Sequence, residues 1–317
     1  MKKIIYGVMM VVAVLLATAC SSVDEPAEEL VTINFSAAIE GGNVSRATDC
    51  NAADVLYYHV YKAKSVNGTD EYTYEPTRVG GTTEGCVGNE FQFSLSLVKN
   101  QIYCVIFWAQ KKCEEGQSPY TLKFDENPKV VVNYGKVLTD AFYGKTAVFK
   151  VEGNSNIEIS LKRPFAQLNV FTSDYAKAKE LGFAIKNAEV TLSDCSNVFN
   201  MFTGKGEGVT NVQPVTMSVN WEDGLAVAEG EENTKVLSGL FLPIGDRSTA
   251  EVTVKVDDSD EDDSDEEGAI SLSVPNCPLT PNFKTNILGS WLTTSVKATV
   301  TISDWEGTEI RGITTEE

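Results

Sequence analysis

Apolar and polar residues alternate in short runs along most of the chain, and this period of two constrains the fold more than any other feature. Ile157-Glu158-Ile159-Ser160-Leu161 alternates cleanly, and Leu56–Tyr61, Phe91–Leu97, Ile102–Ala109 and Lys129–Val132 are rich in β-branched or aromatic residues. Side chains two apart share one face of a strand, so such runs make strands with one face buried. Turn residues separate them at the spacing of a β-sandwich. After Arg163-Pro164 the pattern begins again with Phe165–Thr172 and recurs at Ala188–Leu192, Val215–Trp221, Leu237–Leu242, Ala250–Val256, Ala269–Val274 and Val296–Ile302. One short helix interrupts it, with Ser173-Asp174 placed to cap Tyr175–Leu181 and Gly182 to end it. A chain of 317 residues also exceeds one comfortable β core. The expected fold is all-β: two tandem Greek-key or transthyretin-like β-sandwich domains, the short helix lying in the second. The N-terminal sandwich is expected at 47–162 and the C-terminal one at 163–317, with no residue-level repeat visible between them.

The first fifty residues carry a separate message. Lys2 and Lys3 precede an apolar run from Ile4 to Ala17, the order of a secretory signal and too short for a comfortable membrane span. Ala17-Thr18-Ala19-Cys20 resembles a bacterial lipobox, in which Cys20 is lipid-modified and becomes the mature N-terminus, although Ala17 stands where Leu is usual. An ordinary signal peptide cut at A-x-A would instead leave Cys20 a spare thiol. Residues 1–20 thus read as a lipoprotein signal peptide. Residues 21–46 read as an acidic tether, Ser21–Glu29, followed by a first strand in which Val31, Ile33, Phe35, Ala37 and Ile39 share one face. Arg46 is the only basic residue between Lys3 and Lys62, so the Arg46–Ala47 bond is where a trypsin-like protease can separate that strand from the body.

Charge and motif content narrow the function. With 26 basic and 45 acidic residues the net charge is −19, which repels phosphate backbones and argues against nucleic acid as a partner. A single histidine, His59, rules out two-imidazole metal sites within one chain, and it lies in a strand with no acid or nucleophile signposted beside it. There is no phosphate-binding loop, dinucleotide fingerprint or nucleophile elbow, and no C-x-x-C pair. We therefore expect no enzyme, no metal and no cofactor. Asp257–Glu267, nine acidic residues of eleven, lacks the Gly of a calcium loop at its sixth place and reads as a solvated hairpin tip. Of the seven cysteines, six follow Cys20, an even number in an exported chain. Only Cys104 with Cys113 has a local argument for pairing.

A signal ending in a lipobox, one strand, a lone arginine, then two sandwiches is an order that resembles the fimbrillin-type (type V) lipoprotein pilins of Bacteroidales. The resemblance continues in Ile159–Val170, which is similar to the strand that opens the family's C-terminal domain, and in Asp140–Gly144, Phe241–Ile244 and Thr285–Gly289. The acidic residues after Cys20 likewise resemble a surface-export signal of such lipoproteins. The resemblance implies a lipid-anchored precursor on the outer membrane, cut at Arg46–Ala47 by an arginine-specific protease. It further implies that the plug strand bearing Val31, Ile33, Phe35, Ala37 and Ile39 leaves, and that a strand from another pilin subunit replaces it to build a cell-surface fimbria. An adhesion ligand on host or bacterial cells is a further implied partner. Val296–Ile302 and Thr308–Ile313 either contain the donor strand or close the last sheet. The competing reading is a monomeric surface lipoprotein that binds glycan through whichever of Trp108, Trp221, Trp291 and Trp305 is exposed, although most tryptophans of a sandwich belong to its core.

Overall fold

The computed structural model describes residues 28–40, 53–183, 185–208, 214–221, 224–225, 232–257, 270–293, 298–305 and 309–314, the last by backbone alone. The strands of the first half are β1 (Leu30–Ile39), β2 (Val55–Ser65), β3 (Tyr72–Glu84), β4 (Glu90–Val98), β5 (Ile102–Gln110), β6 (Tyr120–Lys123), β7 (Lys129–Val132), β8 (Ala141–Lys145), β9 (Phe149–Lys150) and β10 (Ser155–Leu161). The second half begins with β11 (Ala166–Thr172), α1 (Tyr175–Glu180), β12 (Asn187–Leu192), β13 (Cys195–Ser196), β14 (Val198–Asn200), β15 (Lys205–Gly206) and β16 (Val215–Asn220). It ends with β17 (Thr234–Pro243), β18 (Ser248–Asp257), β19 (Ile270–Leu279), β20 (Phe283–Gly289), β21 (Ala298–Asp304) and β22 (Glu309–Thr314). Among the described residues the protein is all-β with one short helix, as the alternation predicts.

Five sheets arrange these strands. In the first sandwich, β10-β1-β4 faces β3-β2-β5-β8, with β9 also on β5, across a core that includes Phe35, Phe91, Phe107 and Leu161. In the second, β13-β17-β11-β20-β21-β22 faces β16-β12-β18-β19 across a core that includes Val170, Val190, Val254 and Ile287. The remaining sheet, β15-β14-β7-β6, draws its strands from both sides of residue 163. Beneath it lies a third core with Trp108, Tyr120, Phe165, Phe199 and Met201. This third core explains why β5 does not alternate. Val105, Phe107 and Ala109 face the first core while Ile106 and Trp108 face the third, so the strand is buried on both sides.

Arg163 sits where the halves join. Its Nε and Nη2 donate to Asp140 over 3.1 and 3.0 Å, and its guanidinium lies 4.6 Å from the Phe142 ring centre and 4.1 Å from that of Trp305. Bidentate pairing and two aromatic faces suit a planar cation better than a lysine head group would.

The expected helix forms, ending at Glu180 with Leu181 as its C-cap and Gly182 at φ +94°. Its cap differs from expectation. Asp174 occupies the N-cap position without capping; its carboxylate instead accepts from the Thr172 hydroxyl, the Leu292 and Thr293 amides and the Thr293 hydroxyl. The segment after β20, at Leu292 and Thr293, offers more donors than the first turn of a six-residue helix, and they win.

The suggested cysteine pairing is corrected. Cys104 and Cys113 are free: Cys104 is buried in β5, and the chain beyond Gln110 leaves that sheet for β6 instead of turning back as a hairpin. Cys86, by contrast, is disulfide-bonded. Trp108 and Trp291 belong to the cores at 0% and 2% exposure, with their indole N–H groups donating to Gln110 and to the Phe171 carbonyl. A sugar ring cannot reach either. Acidic residues 258–267 fall outside the described residues; the strands on either side of them, β18 and β19, pair antiparallel with Val256 opposite Ile270.

Candidate functional site

β1 is the middle strand of its sheet. It runs antiparallel to β4, with Ile33 opposite Leu95 and Phe35 opposite Phe93, and parallel to β10, with Ile33 opposite Ser155 and Ile39 opposite Leu161. Its ends are held as well, by Lys99 N–H to the Glu29 carbonyl at 2.8 Å, Ile39 N–H to Asn89 at 2.9 Å and Glu40 N–H to Leu161 at 2.9 Å. Parallel pairing needs a long crossover, and here the chain completes most of the first sandwich before β10 returns to β1.

The strand presents two chemically different faces. Val31, Ile33, Phe35, Ala37 and Ile39 all point into the first core, none more than 6% exposed. Phe35 is the anchor, with ring centres 5.3 Å from Phe93, 5.9 Å from Phe107 and 6.5 Å from Phe149. Ala37 is the small residue that follows it on the same face. Below the neighbouring strand β10, Gly144 of β8 lets the layers close, because a Cβ there would stand 2.7 Å from Leu161 Cδ2 and 2.9 Å from Ile159 Cγ2.

The outward face is polar and laced to both neighbours. Asn34 donates to Asn156 over 2.8 Å and accepts from Ser94 over 2.7 Å, and the Thr32 amide donates to Asn154 Oδ1 over 3.1 Å. Ser36 donates to Glu90, which also accepts from Gln92. The bonds from Ser36 and Gln92 hold the Glu90 carboxyl below the ordinary range. Ser160 donates to Glu40, and Lys162 lies 3.4 Å from the same carboxylate.

The structure thus brings the five apolar plug residues onto one face of one strand, while Cys20, Arg46 and Ala47 lie outside the described residues. Two elements of the site escaped the sequence. The polar lacing joins β1 to residues 54 to 122 positions away, and the Arg163 clamp recruits Trp305 from near the C-terminus; neither leaves a local pattern. No cluster of three His, Cys, Asp or Glu side chains converges among the described residues. Nor, among them, is any helix long and apolar enough to cross a membrane. The last strand, β22, closes the six-stranded sheet as its outermost member, paired to β21 along one edge. What the geometry of β1 can do is define a slot: two main-chain edges and an apolar floor that only an extended strand fills.

A candidate polysaccharide-binding protein (DUF1812) from Bacteroides thetaiotaomicron VPI-5482 shares the fold, with a TM-score of 0.50 at 7% identity over 88% of this chain and 100% of that one. A candidate cell adhesion protein from Bacteroides ovatus ATCC 8483 is similar with a TM-score of 0.47 at 14% identity, over 88% of this chain and 98% of that one. The fimbrilin FimA from Porphyromonas gingivalis W83 is similar with a TM-score of 0.43 at 15% identity, over 81% of this chain and 89% of that one. No curated protein matches the sequence. DUF6562, described as a family of unknown function, matches residues 25–315, and the chain belongs to that family.

Proposed function

We propose that the protein is a structural subunit of a cell-surface fimbria, delivered as a lipoprotein anchored through Cys20 to the outer membrane. In this reading an arginine-specific protease cuts Arg46–Ala47, β1 departs, and a strand from another subunit enters the vacated slot. The sandwiches at 47–162 and 163–317 then serve as a building block of the fimbria. One observation carries the proposal: a strand lying wholly before Arg46 is the central member of its sheet, bonded along both edges, with its entire apolar face in the core. Loss of such a strand leaves the edges of β4 and β10 unpaired and exposes the floor that Phe35 covers. Fully burying an aliphatic or aromatic side chain stabilises by ~1.5–3 kcal/mol, so an empty slot favours any strand with the same alternation.

Charge does not drive the association. Residues 47–317 carry 40 acidic and 23 basic residues, a net −17, and like-charged subunits meet through main-chain pairing and apolar burial instead. The test uses Arg46→Ala in the full chain. The variant should stay a lipid-anchored monomer, while wild-type protein recovered from the cell surface, where other subunits are present, begins at Ala47 and runs as a ladder on unboiled gels. Polymers from Arg46→Ala, or a trimmed wild type that remains monomeric, would shift the reading to a monomeric glycan-binding lipoprotein.

A further inference from the structure

The two halves repeat one arrangement that lies spread over three strands in each. In the first sandwich, Asn34 of β1 stands opposite Asn156 of the parallel strand β10 and Ser94 of the antiparallel strand β4. In the second, Asn169 of β11 stands opposite Asn286 of the parallel strand β20 and Ser238 of the antiparallel strand β17. The bonds match too. Asn34 Nδ2 donates to Asn156 Oδ1 at 2.8 Å and its Oδ1 accepts the Ser94 hydroxyl at 2.7 Å. Asn169 Nδ2 donates to Asn286 Oδ1 at 2.8 Å and its Oδ1 accepts the Ser238 hydroxyl at 2.7 Å. Each central Asn is flanked by buried apolar residues: Ile33 and Phe35 in one strand, Leu168 and Val170 in the other.

The chemistry explains the choice of residue. An amide offers a donor and an acceptor on one rigid fork, which answers a carbonyl on one neighbour and a hydroxyl on the other at the same time. An apolar side chain there answers neither. Apolar alternation by itself tolerates a slip of two residues, since the same face stays inward. The clasp removes that freedom, because a slip of two sets Thr32 or Ser36, not Asn34, between Asn156 and Ser94.

We propose that the clasp is the means by which the β1 slot selects its incoming strand: the occupant carries Asn at the Asn34 position, between two apolar residues. This deepens the exchange reading above and rests on it. The argument for that occupant is the second sandwich, where the permanent strand in the equivalent place, Leu168-Asn169-Val170, obeys the same rule. Neither β21 nor β22 contains an asparagine, so the C-terminal strands of a second copy are disfavoured. The favoured partner is a subunit whose donor strand reads apolar–Asn–apolar.

The test starts from full-length protein cleaved at Arg46 in the presence of excess labelled peptide, with occupancy read by native mass spectrometry. A Leu30–Ile39 peptide should bind, whereas the same peptide with Asn34→Leu, or one spanning Ala298–Asp304, should bind at least about tenfold more weakly. Equal binding of all three overturns the proposal. If the cleaved chain keeps its own β1 and admits no peptide, it is the exchange reading that fails. The clasp is then judged on the intact chain by a double-mutant cycle of Asn34→Ala with Asn156→Ala in urea. A coupling of about fivefold in the folding equilibrium supports a register lock, and independent effects overturn it.

Discussion

Arg163 and His59 show how single side chains commit this fold. The Arg163 side chain is 5% exposed, paired with Asp140 and stacked between Phe142 and Trp305, so it cannot be removed without stranding a carboxylate. Arg163→Met should lower stability by roughly 2–3 kcal/mol in urea titration, below the full cost of breaking a buried pair because Asp140 keeps some contact with water. A change under about 0.5 kcal/mol would mean that the clamp contributes only geometry. His59 stacks on Phe124 with ring centres 5.5 Å apart, and its Nε2 is buried without a partner. Burial lowers its pKa below 6.5, so the unfolded chain binds a proton that the folded one refuses. Stability should therefore fall as pH drops from about 6.5 through the lowered folded value, and this part of the slope should vanish in His59→Gln. Melting curves of both proteins between neutral and mildly acidic pH decide it. Identical slopes would show that the imidazole is solvated after all.

At the scale of elements, α1 is held in place by what Asp174 does instead of capping. Burial alone would raise the Asp174 pKa, but the bonds from Thr172, Thr293 and Leu292 outweigh it and hold the carboxyl low. Asp174→Ala leaves those amides unpaired and should cost about 2–3 kcal/mol, with Asp174→Asn between it and wild type. In the wild type this contribution is complete above the ordinary Asp pKa and lost as pH falls through the depressed one, a window well below that of His59. An Asp174→Ala protein as stable as wild type at neutral pH would refute the tie between β11 and the Leu292 segment. Much at this scale was legible in advance. Alternation located β1, β10, β12 and β18, because each keeps one face in a core. It could not describe β5, which is buried on both faces, nor foresee that Asp174 would find better donors across the sheet than in its own helix. The same limit hid the Asn clasp: each of its bonds is ordinary, and only the strand order brings its members together.

At the scale of the molecule, the sheet β15-β14-β7-β6 matters most, because neither half can form it alone. Trp108 and Phe199, from opposite sides of residue 163, lie with ring centres 5.9 Å apart in the core beneath it. The two sandwiches should consequently unfold together. Calorimetry of the full chain is expected to give one transition, with calorimetric and van't Hoff enthalpies in agreement; Phe199→Ala should lower that single midpoint rather than split it. Two resolved transitions would mean that the halves are energetically separate. The parallel pairing of β1 with β10 also sets an order of events during synthesis. A chain made from its N-terminus presents β1 early, and the strand that closes its far edge only after residue 161 has emerged from the ribosome. Until then β1 is a sticky ribbon with one free border, at risk of pairing with a neighbouring nascent chain. The contact is among the longest-range in the first sandwich, and long-range pairing is slow to form. In the exchange proposed above the leading strand leaves late in the life of the protein; the same architecture leaves it unprotected at the beginning, and a holding chaperone that recognises Leu30–Ile39 is the helper such a chain would need.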